Sequence, residues 1–263
     1  MRERLDHAIA IAIEAGRLIA SRYEQSFSIE TKSSAVDLVT EVDLQSEAAI
    51  KDAIARRYPT DGVLAEESGG AREGTGVRWI VDPLDGTTNF AHGFAYFSVS
   101  IAVAEGDEVG AGVVHDPLRG ESFCALAGEG AWLRRADGTT RPLHVTAIAD
   151  LQRALVATGF GYDRATAARN NLPEFNRVLP RVQGIRRGGS AALDLANVAA
   201  GRLDGYWELA LNPWDWGAGW CLVREAGGVT TTLDGRPFTL DADSMCAAGP
   251  KLHPAFREVI VGP

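Results

Sequence analysis

Two aspartates three residues apart, Asp82 and Asp85, stand where the apolar run Trp79-Ile80-Val81 gives way to Pro83-Leu84 and then to Gly86-Thr87-Thr88-Asn89. A strand that ends in carboxylates presents charge at the rim of a sheet. Pro83 stiffens the link by fixing φ, and Gly86 lets backbone approach a ligand closely. Thr87 and Thr88 are expected to cap a helix whose free N–H groups face outward, and such a helix start attracts phosphate. Two carboxylates beside it repel an anion unless divalent cations lie between. Hard oxygen ligands that share a shell with phosphate suit Mg²⁺. An Asp-rich turn that only caps a helix has the same composition, and local physics does not separate the two readings.

Other carboxylates fall at the ends of expected elements. Glu66 begins Glu66-Glu67-Ser68-Gly69 directly after the short apolar run Val63-Leu64-Ala65. Asp37 and Asp43 flank an extended segment, with Lys32 upstream. Asp215 lies between Trp214 and Trp216 at an expected helix start, and a charge in so apolar a setting needs a partner. Each alone reads as a cap or a solvated face; four or more together suffice for a cluster of two or three metals. With that oxygen set available, His92 reads as a surface or hydrogen-bonding residue rather than a ligand. Gly188-Gly189-Ser190 after Arg186-Arg187 lacks the spacing of a Walker loop, and the arginines read equally as a solvated pair. The six tryptophans and Phe94-Ala95-Tyr96-Phe97 read as core packing.

The elements that position these residues follow from periodicity. Leu5, Ile9, Ala12, Gly16, Ile19 and Tyr23 recur at helical spacing. Residues 36–40 read as extended, and Asp43 as the N-cap of a helix that carries Ile50, Ala53, Ile54 and Tyr58 on one face. Pro59, Asp61 and Gly62 end it. Strands are expected over 63–65, 77–81, 122–127 and 130–133, with a hairpin over 97–115 turning at 105–108. In the second half, strands over 155–158, 205–207 and 229–231 alternate with helices over 166–178, 191–200 and 214–226. The whole is a mixed α/β chain with antiparallel sheet in its middle. One domain over 1–263 is expected, with a seam near 135–150, at Ala136-Asp137-Gly138. It would part a metal-bearing subdomain, 1–140, from a substrate-side one, 141–263.

The 263 residues hold 26 Lys and Arg against 35 Asp and Glu, a net charge of −9. With 46% hydrophobic and 23% charged residues the chain is of ordinary globular composition and not disordered. The acidic excess argues against a protein that wraps nucleic acid. It leaves an anionic substrate open, because a bound cation inverts the local field. No stretch approaches the roughly 20 apolar residues of a membrane span. The start, Met1-Arg2-Glu3-Arg4 followed by Asp6, His7, Glu14 and Arg17, has no apolar signal region. Cytoplasmic residence is therefore the expectation. Cys124, Cys221 and Cys246 are too few and too far apart for a disulfide framework or zinc site, and read as small buried hydrophobes.

Taken in order, these segments resemble the inositol monophosphatase family. The run from Trp79 to Asn89 looks like its signature. The segment from Lys32 to Thr40 with Asp43 resembles its N-terminal motif, and Glu66-Glu67-Ser68 its metal-binding glutamate motif. Gly189 through Leu195 and Gly201 through Glu208 are similar to its substrate segment, and Trp214-Asp215 with Gly217-Ala218-Gly219 to its C-terminal signature. Ala95 stands where the family often has Pro, a departure confined to one loop. The resemblance implies a layered α-β-α-β-α sandwich, a homodimer, and Mg²⁺-dependent, lithium-sensitive hydrolysis of a small phosphorylated polyol or sugar. It implies two or three Mg²⁺ held by Glu66, Asp82, the Leu84 carbonyl, Asp85 and Asp215. Asp43 and Thr87, with Glu66, would orient or activate water; the Gly86 and Thr87 amides would hold phosphate; Gly189, Ser190, Ala191 and Glu208 would face the polyol. The leading substrate is myo-inositol monophosphate. Fructose 1,6-bisphosphate, 3′-phosphoadenosine 5′-phosphate and histidinol phosphate are the alternatives, because related enzymes share these metal motifs. A reading of another class is a regulatory partner of the transcription machinery that affects ribosomal RNA maturation; direct contact with nucleic acid is not expected.

Overall fold

A computed structural model describes residues 1–32, 36–69, 71–72, 74 and 76–262. The first half runs α1 (Arg2–Arg22), β1 (Ile29–Thr31), β2 (Leu38–Thr40), α2 (Glu41–Arg57), β3 (Gly62–Ala65), β4 (Ala71–Arg72), β5 (Val77–Asp85), α3 (Thr87–Ala91), β6 (Ser98–Glu105), β7 (Glu108–Asp116), β8 (Glu121–Leu126), β9 (Gly130–Arg135) and β10 (Thr140–Pro142). The second runs β11 (Leu155–Thr158), α4 (Leu172–Val178), β12 (Gly184–Arg186), α5 (Ala191–Ala199), β13 (Gly205–Leu209), α6 (Pro213–Glu225), β14 (Val229–Thr231), β15 (Ser244–Ala248) and α7 (His253–Val261). Among the described residues no helix is long and apolar enough to cross a membrane.

The apolar pattern decides the layers. β5 to β9 alternate side chains between two faces that are both covered, so nearly every residue of β6 and β8 is buried. The larger sheet has the order β10-β9-β8-β7-β6-β5-β3-β4 and is antiparallel except for the parallel pair β3–β5. The smaller has the order β12-β11-β13-β15-β14, with β11 parallel to both neighbours. α1 and α2 pack on the outer face of the large sheet, α5 and α6 lie between the sheets, and α7 with α4 covers the small sheet. Three hydrophobic clusters fill the four interfaces of an α-β-α-β-α sandwich, one of them covering both faces of the middle helix layer. All three cysteines are buried and free.

Several local expectations change. The N-cap of α2 is Thr40, not Asp43: the Thr40 hydroxyl accepts from the Val42 N–H, and Asp43, at the third helical position, accepts from the Thr40 N–H. A capping box satisfies two orphan donors where a lone cap satisfies one. α3 is capped by neither threonine but by Gly86, at φ 102°. A Cβ there would meet the Tyr96 carbonyl at 3.0 Å, so the position needs glycine for conformation and for space. α4 starts at Leu172 rather than 166, because Asn171 turns the chain with φ 67°. Ala136-Asp137-Gly138 is the turn between β9 and β10 within one sheet, not a seam. β12, β15 and α7 lie in stretches where Gly, Asp and Pro mask a weak periodicity. Phe94 is 59% exposed and is not core, whereas Phe97 is buried. Residues 33–35 of the N-terminal motif lie outside the described residues.

Candidate active site

β5 carries its apolar residues into the core and delivers Asp82, Leu84 and Asp85 at its C-terminal end. A register irregularity between Asp82 and Asp85 in the β5–β6 pairing turns the strand there. The Asp82 carboxylate accepts from the Leu84 N–H (3.0 Å). One oxygen of Asp85 accepts from the Ser190 hydroxyl (2.5 Å) and the Ala192 N–H (2.8 Å) at the start of α5. Ser190 also caps that helix, accepting from the Leu193 N–H (3.3 Å). Asp85 is thus tied across the molecule to the middle layer of helices.

The neighbouring carboxylates arrive by separate routes. The Glu66 N–H donates to the Val81 carbonyl (3.2 Å), which sets Glu66 beside Asp82. Its side chain accepts from the Lys32 ammonium (2.9 Å), which also donates to Glu67 (2.6 Å). Asp215 is the third residue of α6, and one oxygen closes a capping box on the Asn212 N–H (2.7 Å). Asp43 is fully buried behind the cleft and not in its lining. One oxygen accepts from the N–H (2.9 Å) and hydroxyl (2.5 Å) of Thr40, the other from the Thr87 hydroxyl (2.7 Å).

All of these but Asp43 line one cleft of about 150 Å³: Glu66, Asp82, Leu84, Asp85, Gly86, Thr87, Gly189, Ser190, Ala191, Glu208 and Asp215. Glu208 projects from β13 and accepts from the Tyr206 hydroxyl two residues earlier on the same face. Gly159 lies against it: a Cβ there would fall 2.1 Å from a Glu208 oxygen. Sequence reasoning missed three contributors to this wall, Arg187, Asp194 and the loop from Thr158 to Tyr162. Asp194 accepts from the Tyr96 hydroxyl (2.6 Å). Asn171 anchors the loop, donating to the Thr158 hydroxyl (2.8 Å) and the Gly159 carbonyl (2.7 Å). Arg187 faces the cleft near Glu208 and Asp194, so it is more than a solvated charge. His92 is exposed.

The electrostatics follow from crowding. Burial raises Asp82 and Asp215 well above the ordinary carboxylate range, and repulsion from Glu66, Asp85 and one another adds to it. Burial also raises Asp85, to about 6, although the Ser190 and Ala192 bonds oppose the rise. Burial lifts Glu208 to about 7. Carboxylates so placed hold protons or need cations. Among the described residues no three Asp, Glu, His or Cys side chains converge into a ready metal cage; Glu66 is engaged by Lys32. The donor set nevertheless fits a hard divalent cation: carboxylate and carbonyl oxygens only, with free oxygens on Asp82, Asp85 and Asp215 beside one space.

Known proteins resemble this chain along nearly its whole length. A profile described as the inositol monophosphatase family matches residues 1–261. An inositol-1-monophosphatase of Synechocystis sp. is 44% identical over 257 residues, covering 97% of this chain and 88% of that one. The Nus factor SuhB of Escherichia coli strain K12 is 40% identical over 261 residues, covering 97% and 95%. A solved inositol monophosphatase from Anabaena superposes with a TM-score of 0.87 at 37% identity, covering 99% and 96%. With its signature carboxylates gathered in one cleft and its sandwich matched end to end, this chain belongs to the inositol monophosphatase family.

Proposed function

We propose that the chain is a Mg²⁺-dependent phosphomonoesterase that hydrolyses myo-inositol monophosphate to inositol and phosphate. The observation that supports it best is one small cleft lined on one side by Glu66, Asp82, Asp85 and Asp215 and on the other by Glu208. Glu66, Asp82, the Leu84 carbonyl, Asp85 and Asp215 would hold two or three ions. Bound there, the ions lower the pKa of a water and offset charge on the phosphoryl oxygens.

The chain's own residues do the rest. An ionised Asp43 accepts a hydrogen bond from the Thr87 hydroxyl, which keeps its proton, so the Thr87 oxygen is left to accept from a water in the cleft and orient that water's lone pair toward phosphorus. The amides of Gly86 and Thr87, at the open start of α3, face the phosphate. Glu208 accepts from polyol hydroxyls. Ser190 and Ala192 hold Asp85 in one orientation, so little reorganisation accompanies the reaction.

Specificity constants with Mg²⁺ for inositol 1-phosphate, fructose 1,6-bisphosphate, 3′-phosphoadenosine 5′-phosphate and histidinol phosphate test this reading. Inositol 1-phosphate ranks first if it holds, and Asp85→Asn lowers its value by about 10³-fold or more. A higher rank for another ester overturns the substrate; unchanged turnover in Asp85→Asn overturns the site. A homodimer resident in the cytoplasm and sensitive to lithium completes the reading. A second reading, docking on the transcription machinery, is favoured by the relative named Nus factor SuhB. Retention of RNA polymerase in a pulldown, undiminished by Asp85→Asn, tests it.

A further inference from the structure

A second polar site lies on the other face of the large sheet. α1 packs chiefly over β7 and β6, reaching β9 through Arg2 on the Trp132 ring, and a cavity of about 250 Å³ lies between its middle and the strands β7 to β9. His115 of β7 pairs with Ser122 of β8, and Ser122 with Arg134 of β9, so three side chains stand in one row across three strands. His115 Nδ1 and the Ser122 hydroxyl are 2.9 Å apart. Gly16 of α1 lies on the imidazole, where a Cβ would come within 2.4 Å of the ring. The next residue, Arg17, closes the row from the helix side, and Arg135 lines the outer rim.

The charged residues that line this cavity are all basic. Among the described residues the Arg17 and Arg134 side chains make no hydrogen bond and no ion pair, in a chain of net charge −9. The two nearby strand carboxylates are engaged elsewhere. Glu121 accepts two bonds from Arg202 (2.7 and 2.8 Å), and Arg135 reaches it only at 3.9 Å. Asp116 accepts from Arg119 (3.0 Å). Asp6 and Glu14 of α1 line the adjoining stretch of groove, which Arg17 and Arg134 also border, and do not line this cavity. Burial, with the two guanidiniums facing it, lowers His115 to about 4, so the ring is neutral and acts as a hydrogen-bonding partner.

We propose that Arg17, Arg134, Ser122 and His115 form a binding site for a tetrahedral dianion of the phosphate class, separate from the catalytic cleft. Guanidiniums bind such oxyanions through paired charge-assisted N–H bonds, the serine hydroxyl supplies a neutral donor, and no lining carboxylate opposes the charge. Inorganic phosphate, the product expected of the catalytic cleft, and the phosphate group of a small metabolite share this chemistry.

Equilibrium dialysis of the full chain with labelled inorganic phosphate tests the site, in Mg²⁺ and at constant ionic strength set with chloride. The expected result is two phosphates per chain. Arg17→Gln with Arg134→Gln weakens one of them by about tenfold or more and leaves turnover unchanged, whereas Asp85→Asn removes only the other. Arg119→Gln with Arg169→Gln, both outside the cavity, serves as the control for net charge. A titration in which phosphate binds only at the Asp85-sensitive site overturns the proposal, as does a double variant with unaltered binding or equal competition by chloride. A single phosphate per wild-type chain, weakened by Arg17→Gln with Arg134→Gln and untouched by Asp85→Asn, would count against the catalytic reading and leave this one standing. Phosphorylated metabolites that displace the label more tightly than phosphate itself would identify the second source.

Discussion

The starts of α2 and α6 are built alike and used differently. Each carries an aspartate at its third position that accepts from the N-cap backbone, Asp43 from Thr40 and Asp215 from Asn212. At α2 the second carboxylate oxygen is spent inside the protein, on the Thr87 hydroxyl, and the residue is sealed from solvent. At α6 the carboxylate lines the cleft beside Asp82 and Asp85. A capping box needs only one oxygen of a carboxylate. The other is free for chemistry, and the depth of the helix start decides whether it orients a neighbour or faces a ligand.

Substitutions separate the two. Asp215→Asn keeps a cap acceptor but removes a charge from the cleft, so kcat/KM with Mg²⁺ falls by about 10³-fold or more. Its thermal midpoint in chelator holds or rises, because repulsion is relieved. Asp43→Asn places an NH₂ among three donors, so kcat falls by about 10²-fold and stability by about 1–3 kcal/mol. If Asp43→Asn were the more damaging to Mg²⁺ affinity, the assignment of roles would be reversed.

The pH dependence is a smaller effect with a definite sign. Asp82, Asp85, Glu208 and Asp215 are all raised in the folded protein. Each holds its proton more tightly when folded, so its stabilising contribution is complete below the unfolded value, near about 4. That contribution is lost as pH rises through the folded value, about 6 for Asp85 and about 7 for Glu208. In chelator the thermal midpoint therefore falls between pH 4.5 and 7.5, and saturating Mg²⁺ flattens the fall. Asp215→Asn shallows the chelator curve; Asp43→Asn leaves it steeper than Asp215→Asn does. The smallest effect is Thr40→Ala, which removes the cap at α2 for about 1 kcal/mol and costs less activity than Asp43→Asn, as unfolding curves and kcat together would show.

Much of this site is legible in the sequence because its chemistry is local. Asp82, Asp85 and Gly86 declare themselves by spacing, and Asp215 by its aromatic neighbours. Arg187 and Asp194 do not. Asp194 falls in the first turn of an apolar helix, where an acid is ordinary dipole chemistry, and only the approach of β13 makes it a wall of the cleft. Asp43 reads as an N-cap because Asp is a good one; the better accounting, with Thr40 three residues earlier, depends on the geometry of the first turn. α7 and β15 are hidden for another reason: their flanks are rich in turn residues, and tertiary packing on the small sheet supplies what periodicity lacks.

The contact between Gly159 and Glu208 bears on how this cleft can change through descent. Any side chain at 159 collides with a buried carboxylate that Tyr206 holds in place, so that wall is closed to gradual enlargement. The exposed tip at Tyr162, a few residues on, has room to vary. The shape of the cleft would therefore change at its rim rather than at its floor, with Glu208 carried through such changes in a fixed place.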